Sequence, residues 1–229
     1  MLWQIFIIYS SGMRHVMHGL LLIAGVCLPL MFGTYFLVRS IETPSDRHRA
    51  VHAALLTLFV FYCVVLVGAL ILSRVDYLNF AQTHAEYRSN FESMTNFRPF
   101  ETVQLYINAI RYNYIGMEIP LSNLVGNALL FMPMAVFLPC LFRPMKKLWV
   151  FALTMLLMLV AVEAVQLWLA CGSCDVDDVL LNLAGTLILF GILKIPVIQR
   201  LMRRMYLLPG EAASKSTQAA QESAPPATE

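Results

Sequence analysis

The sequence predicts an all-α membrane protein: a bundle of five transmembrane helices plus an amphipathic outer-surface helix. Three observations lead there. Of 229 residues, 59% are hydrophobic and 13% charged, about half the charged share of an ordinary soluble domain, and mean hydropathy is +0.69. The apolar residues gather in five blocks, 19–38, 53–72, 121–142, 148–170 and 179–198. Each reaches the about 20 helical residues that a hydrocarbon core of ~30 Å requires. Lys and Arg concentrate in alternate connections between the blocks.

Residues 1–15 form an N-terminal segment. Its first nine residues are apolar but too short to span, and Ser10-Ser11-Gly12 interrupts them. This stretch reads as interfacial, or as sequence ahead of a start at Met13. Block 19–38 is too long for a typical signal-peptide core and lacks a clear small-residue cleavage site, so it reads as a span. Residues 16–72 thus hold the first two transmembrane helices, and residues 73–120 form an extracellular loop.

Within that loop, 76–96 is polar and reads as a flexible approach. Pro99 suits the first position of a helix. Phe100, Val103, Ile107 and Ile110 then recur at helical spacing, with Glu101, Gln104, Asn108 and Arg111 between them. That pattern is an amphipathic helix for the membrane surface or for the top of the bundle; the plain alternative is a linker. Residues 121–198 hold helices three to five. Residues 199–229 read as a disordered cytoplasmic tail, being Ala, Ser, Gln, Pro and Glu without apolar period from 211 onward.

The positive-inside rule sets the orientation. Arg39, Arg47 and Arg49 mark the first connection, Arg143, Lys146 and Lys147 the third, and Arg200, Arg203 and Arg204 follow the last span. The fourth connection, 171–178, has no basic residue. The N-terminus is therefore expected outside, with loops two and four outside and the C-terminus in the cytoplasm. A net charge of +2 carries no footprint for nucleic acid.

Polar residues converge in the outer half of the last three spans. Glu163 lies seven residues before Ala170, roughly 10 Å below the outer end of helix four. Gln166, three residues on, shares its face. Asp178, Asn182 and Gly185 line one stripe of helix five, and Asn123 and Asn127, with Gly126, one stripe of helix three. Asparagines and small residues are ordinary interhelical glue, but an ionised carboxylate in lipid costs several kcal/mol unless it finds a partner or a wet cavity. Asp177 or Asp178 can cap helix five. One aspartate explains a cap. Asp175, Asp177 and Asp178 together suggest a cationic ligand or a divalent ion, although no complete six-oxygen cage is present.

Cys171 and Cys174 form an external Cys-Gly-Ser-Cys pair. A loop disulfide or reduced thiols fit better than catalysis, because a second external cysteine pair is missing. Zinc would need two more ligands. HExxH, GxSxG and GxxxxGK[ST] are all absent.

Three ordered blocks resemble the VanZ-like family of small membrane proteins. They are Asn96-Phe97-Arg98-Pro99-Phe100-Glu101-Thr102-Val103; the run from Asn123 to Pro133 with its Gly126-Asn127 and Leu130-Phe131; and Glu163 and Gln166 followed by Asp175-Val176-Asp177-Asp178 and Asn182-Leu183-Ala184-Gly185. The likeness covers about 97–193 and extends toward helix two. Many relatives carry an arginine just before the aspartate block, where this chain has Gly172-Ser173-Cys174. Arg98 and Arg111 are the candidate substitutes. The resemblance implies a bacterial plasma-membrane protein of the cell envelope, in a family whose founding member is associated with resistance to the glycopeptide teicoplanin.

The expected function is binding of a polar, lipid-linked or cell-wall ligand in an outward-facing cleft. Asn123, Asn127, Glu163, Gln166, Asp175, Asp177, Asp178 and Asn182 would contribute to it. Expected partners are membrane lipid and a cell-wall precursor or glycopeptide-related ligand, with no cofactor. Three rivals stand beside it. One is a membrane enzyme using Glu163 and an aspartate as an acid–base pair; another is a thiol-redox protein using Cys171 and Cys174; the third is a scaffold.

Overall fold

Hydropathy of this order forces helices, since a backbone in hydrocarbon must satisfy its own N–H and C=O groups. A computed structural model describes residues 41–112, 118–205 and 207, position 42 excepted. Four of its helical stretches are long and apolar enough to cross a membrane: Asp46–Leu72, Asn123–Leu141, Leu148–Trp168 and Val176–Leu193. The expected span 19–38, the segment 1–15 and nearly all of the tail lie outside the described residues.

Helix α1 (Pro44–Val67) opens on a proline in its first turn and continues as a π-helical turn, Gly68–Leu72. Ser73 N–H there reaches back five residues to the Gly68 carbonyl at 2.9 Å. Such widened turns recur at functional sites. The stretch 76–96, expected to be flexible, is instead built of α2 (Phe80–Ser89), α3 (Phe91–Met94) and strand β1 (Thr95–Asn96). The Asp76 carboxylate starts this run by accepting from the Leu78 and Asn79 N–H groups at 3.1 and 3.0 Å. Those bonds hold its pKa below the usual carboxylate range.

Helix α4 (Glu101–Arg111) follows. Pro99, expected from the sequence to open it, does not; Phe100 occupies the cap position in the left-handed conformation, φ 67°. The buried face only partly follows the expected one: Tyr106 and Ala109 are buried and Val103 and Ile110 half-buried, whereas Phe100 and Ile107 are exposed.

Helix three, expected unbroken, is divided into α5 (Glu118–Leu130) and α6 (Met134–Leu141). Pro133 has no N–H to continue the ladder. Met134 N–H then bonds Phe131 O at 3.0 Å rather than Leu130 O. The Leu130 carbonyl so released accepts from the Tyr62 hydroxyl at 2.7 Å, and Tyr62 is fully buried. A 3-10 turn, Arg143–Lys146, leads to α7 (Leu148–Trp168). Strand β2 (Cys174–Asp175) and helix α8 (Val176–Leu193) follow.

The last span stops at Leu193, not at residue 198, and the expected disorder does not begin at 199. Pro196 starts a separate short helix, α9 (Pro196–Arg204), because its fixed φ suits a first helical position.

Helix α8 is the hub, packing against α5, α6 and α7. Gly185 permits the closest approach: a Cβ there would lie 1.9 Å from the Ala128 carbonyl oxygen of α5. Tyr62, Phe131, Phe151, Met155 and Phe190 fill the core, with the Phe151 and Phe190 rings stacked 4.6 Å apart.

Candidate functional site

The polar residues of the last three spans do meet at one end of the bundle, and most of them bind each other. β1 and β2 pair in parallel, with Asn96 opposite Asp175. That pairing draws the loop and α4 onto the start of α8. Asp175 is the cap of α8, accepting from the Asp177 N–H at 2.9 Å; the sequence had suggested Asp177 or Asp178 for this role, and neither holds it. Asp175 also accepts from Thr102 Oγ1 at 2.5 Å and Asn96 Nδ2 at 3.1 Å. Burial nevertheless pushes its carboxyl above the usual range.

Asp177 is fully buried and serves another helix. It accepts from the N–H groups of Phe100 at 2.5 Å and Val103 at 3.1 Å, the open N-terminus of α4. Asp178 accepts from Asn127 Nδ2. Asn127 also donates to Asn123 Oδ1 at 3.1 Å, and Asn123 Nδ2 donates to the Tyr106 hydroxyl at 2.6 Å. Burial raises Tyr106 to about 12, so it remains a neutral phenol. The three aspartates thus have three separate sets of protein partners. Among the described residues, no group of three or more His, Cys, Asp or Glu side chains could hold a metal ion.

Gln166 is buried and donates to the Leu70 carbonyl, inside the π-helical turn, at 3.0 Å. Glu163 on the same face of α7 accepts from the Asp175 N–H at 3.3 Å. Asn182 donates to the Asp178 carbonyl at 2.7 Å, while its buried Oδ1 has no hydrogen-bond partner.

The sequence did not single out Arg74. It follows the π-helical turn, and its charge acts on both Glu163 and Asp178. Its Nε is buried without a hydrogen-bond partner. One of its terminal nitrogens lies 3.5 Å from where a Cβ on Gly172 would stand. A cation from just beyond the π-helical turn thus lies against Gly172, where relatives were expected to carry their own arginine. Arg98 and Arg111 do not fill that role: both are exposed, and Arg98 lies 4.0 Å from Glu101. Arg74 was hidden because it stands about 90 residues from its neighbours, just past the end of an apolar block.

Cys171 and Cys174 are free thiols, the first buried and the second half-buried. Burial pushes both thiols up, which keeps them from being reactive thiolates. Tyr87 of α2 donates to the intervening Gly172 carbonyl at 2.9 Å and is itself raised to about 12 by burial.

A family model, VanZ/LLP1, matches residues 59–199. No curated protein and no solved structure matches the chain. The matched segment runs from the middle of α1 into α9, so it takes in Arg74, α4, the paired strands and all three polar spans. With well over half its length matched, and the site inside the match, the chain belongs to the VanZ/LLP1 family.

Proposed function

We propose that this family member is a multi-pass protein of the bacterial plasma membrane that binds a polar envelope ligand at the Arg74 end of its bundle. The reading takes 19–38 as a fifth span and turns that end outward, as the distribution of Lys and Arg suggests. Helix α4 would then lie at the outer surface, its exposed Leu105 and Ile107 meeting the lipid interface.

One observation carries the proposal. Two buried polar atoms of the site, Arg74 Nε and Asn182 Oδ1, lack partners, while Asn123, Asn127, Gln166, Asp175, Asp177 and Asp178 are hydrogen-bonded within the protein. Orphaned groups of this kind cost about 1–3 kcal/mol each, and a ligand would satisfy them. Arg74 suits an anionic group. Asn182 Oδ1 and Glu163 suit hydroxyl or ammonium donors. A lipid-linked or cell-wall precursor carries both kinds, and interference with such a precursor is the route by which the protein would affect teicoplanin susceptibility.

Growth under teicoplanin with Glu163→Gln and Asn182→Leu tests the reading. Both variants should lose the protein's effect at wild-type abundance. Unchanged growth from both removes the ligand site. The carboxylates Glu163 and Asp178 also act on each other electrostatically, which favours a second reading as an acid–base pair. Turnover of a lipid-linked precursor by purified protein, abolished by Glu163→Gln, would select it.

A further inference from the structure

The end of the bundle opposite Arg74 is basic along two stretches of chain. Residues 141–162 contain Arg143, Lys146 and Lys147, residues 186–207 contain Lys194, Arg200, Arg203 and Arg204, and neither contains Asp or Glu. Lys194 joins the two. Its Nζ donates to the Lys146 carbonyl at 2.9 Å and sits 4.9 Å from the Phe190 ring centroid. Helix α9 therefore leaves the last span tied to the 3-10 turn.

At about 100° per residue, Val197, Ile198, Leu201 and Met202 fall on one continuous arc of α9. Gln199, Arg200, Arg203 and Arg204 fall on the other. The apolar arc is only half used by the protein. Met202 is buried and Ile198 half-buried, but Val197 and Leu201, four residues apart, are 64% and 55% exposed. Exposed apolar side chains beside three arginines, with Val197 four residues after a membrane span ends at Leu193, stand at the depth where acyl chains give way to headgroups.

We propose that α9 is an interfacial anchor for anionic phospholipid. Val197 and Leu201 enter the acyl region, while Arg200, Arg203 and Arg204 engage headgroup phosphates. Charge complementarity names the lipid class: a polybasic segment next to a span is attracted to an anionic leaflet, one cation at a time. Continuity with the span names the location. This anchor is independent of the ligand site at the other end.

The test uses the full chain in nanodiscs of phosphatidylcholine, alone or mixed with phosphatidylglycerol, with amide exchange followed by mass spectrometry. Amides of α9 should exchange roughly tenfold more slowly when the anionic lipid is present, and high salt should erase the difference. Replacing Arg200, Arg203 and Arg204 together by Gln should abolish the lipid dependence while α7 stays protected, and replacing all three by Lys should retain most of it. Val197→Ser with Leu201→Ser should lose protection in both lipids. Equal exchange in the two lipids overturns the proposal. So does protection that grows with protein concentration, which would make the occupant a second copy, or protection reproduced in detergent by inorganic phosphate.

Discussion

Asp177 caps a helix to which it does not belong. Its carboxylate closes the N-terminus of α4 through the N–H groups of Phe100 and Val103, while Asp175, two residues earlier, caps its own helix. Helix α4 is thereby fastened to the first turn of α8. Asp177→Ala should cost about 2 kcal/mol, a lost cap plus two N–H groups left in a buried place. Amide exchange should rise in α4 and not in α7. Asp177→Asn, which keeps one acceptor oxygen, should cost less. An unchanged exchange pattern in the alanine variant would separate α4 from this carboxylate.

Phe100 pays for its position with a left-handed backbone, φ 67°. Its side chain is exposed, so little packing depends on it. Phe100→Gly should therefore stabilise the protein by about 1 kcal/mol, read as a higher midpoint in thermal unfolding.

Glycines separate close packing from mere helix content. At Gly185 an added Cβ would collide with the Ala128 carbonyl, whereas at Gly68 and Gly191 it would meet nothing within 4 Å. Gly185→Ala must force α5 and α8 apart, at about 3 kcal/mol, the upper end of ordinary overpacking. Gly191→Ala, in the same helix, should be neutral or stabilising by up to about 1 kcal/mol through helix propensity. Thermal unfolding of the two variants in detergent checks the contrast. Equal midpoints would mean that the helix pair is not held at this distance.

These particulars mark what sequence could reveal. The last three spans were legible because hydropathy and length act locally, and Asn123 with Asn127 or Asp178 with Asn182 share a face by helical period alone. Their meeting at one end followed from orientation. What stayed hidden depends on partners far apart in the chain: Arg74 beside Gly172, Asp177 on Phe100, and Gln166 on Leu70. The short helices of 76–96 were missed for a different reason. Phe80–Ser89 buries no residue, so no apolar period announces it; hydrogen bonds accepted by Asp76 and the Tyr87 latch carry this stretch instead.

Tyr62 and Pro133 are coupled through the Leu130 carbonyl. At the proline the ladder tightens, Met134 N–H turning to Phe131 O, and the tyrosine hydroxyl serves the Leu130 carbonyl instead at 2.7 Å. Tyr62→Phe should cost about 1–2 kcal/mol, the penalty for a buried acceptor left unmade. In a Pro133→Ala background the ladder can close on itself, and the same substitution should then cost less than half as much. Equal costs in both backgrounds, measured as a double-mutant cycle, would show that the hydroxyl does not serve the proline break.

Asp175 gives the fastening of α4 a pH dependence whose sign can be fixed. Burial raises its folded pKa above the ordinary value of 3.8, so the folded state holds this proton more tightly than the unfolded chain does. Its contribution to stability is therefore fully present below about pH 3.8 and is lost as pH rises through the folded value. Asp175→Asn removes the titration. The stability of the wild type relative to this variant should fall as pH climbs from about 3.8 and level off once the buried carboxyl is ionised. Asp175 acts electrostatically on Glu163 and Asp178, so the difference reads Asp175 together with its coupling to those two acids. A difference that rises with pH would mean that Thr102 and Asn96 stabilise the carboxylate more than burial opposes it, and that α4 is held most firmly in the ionised state.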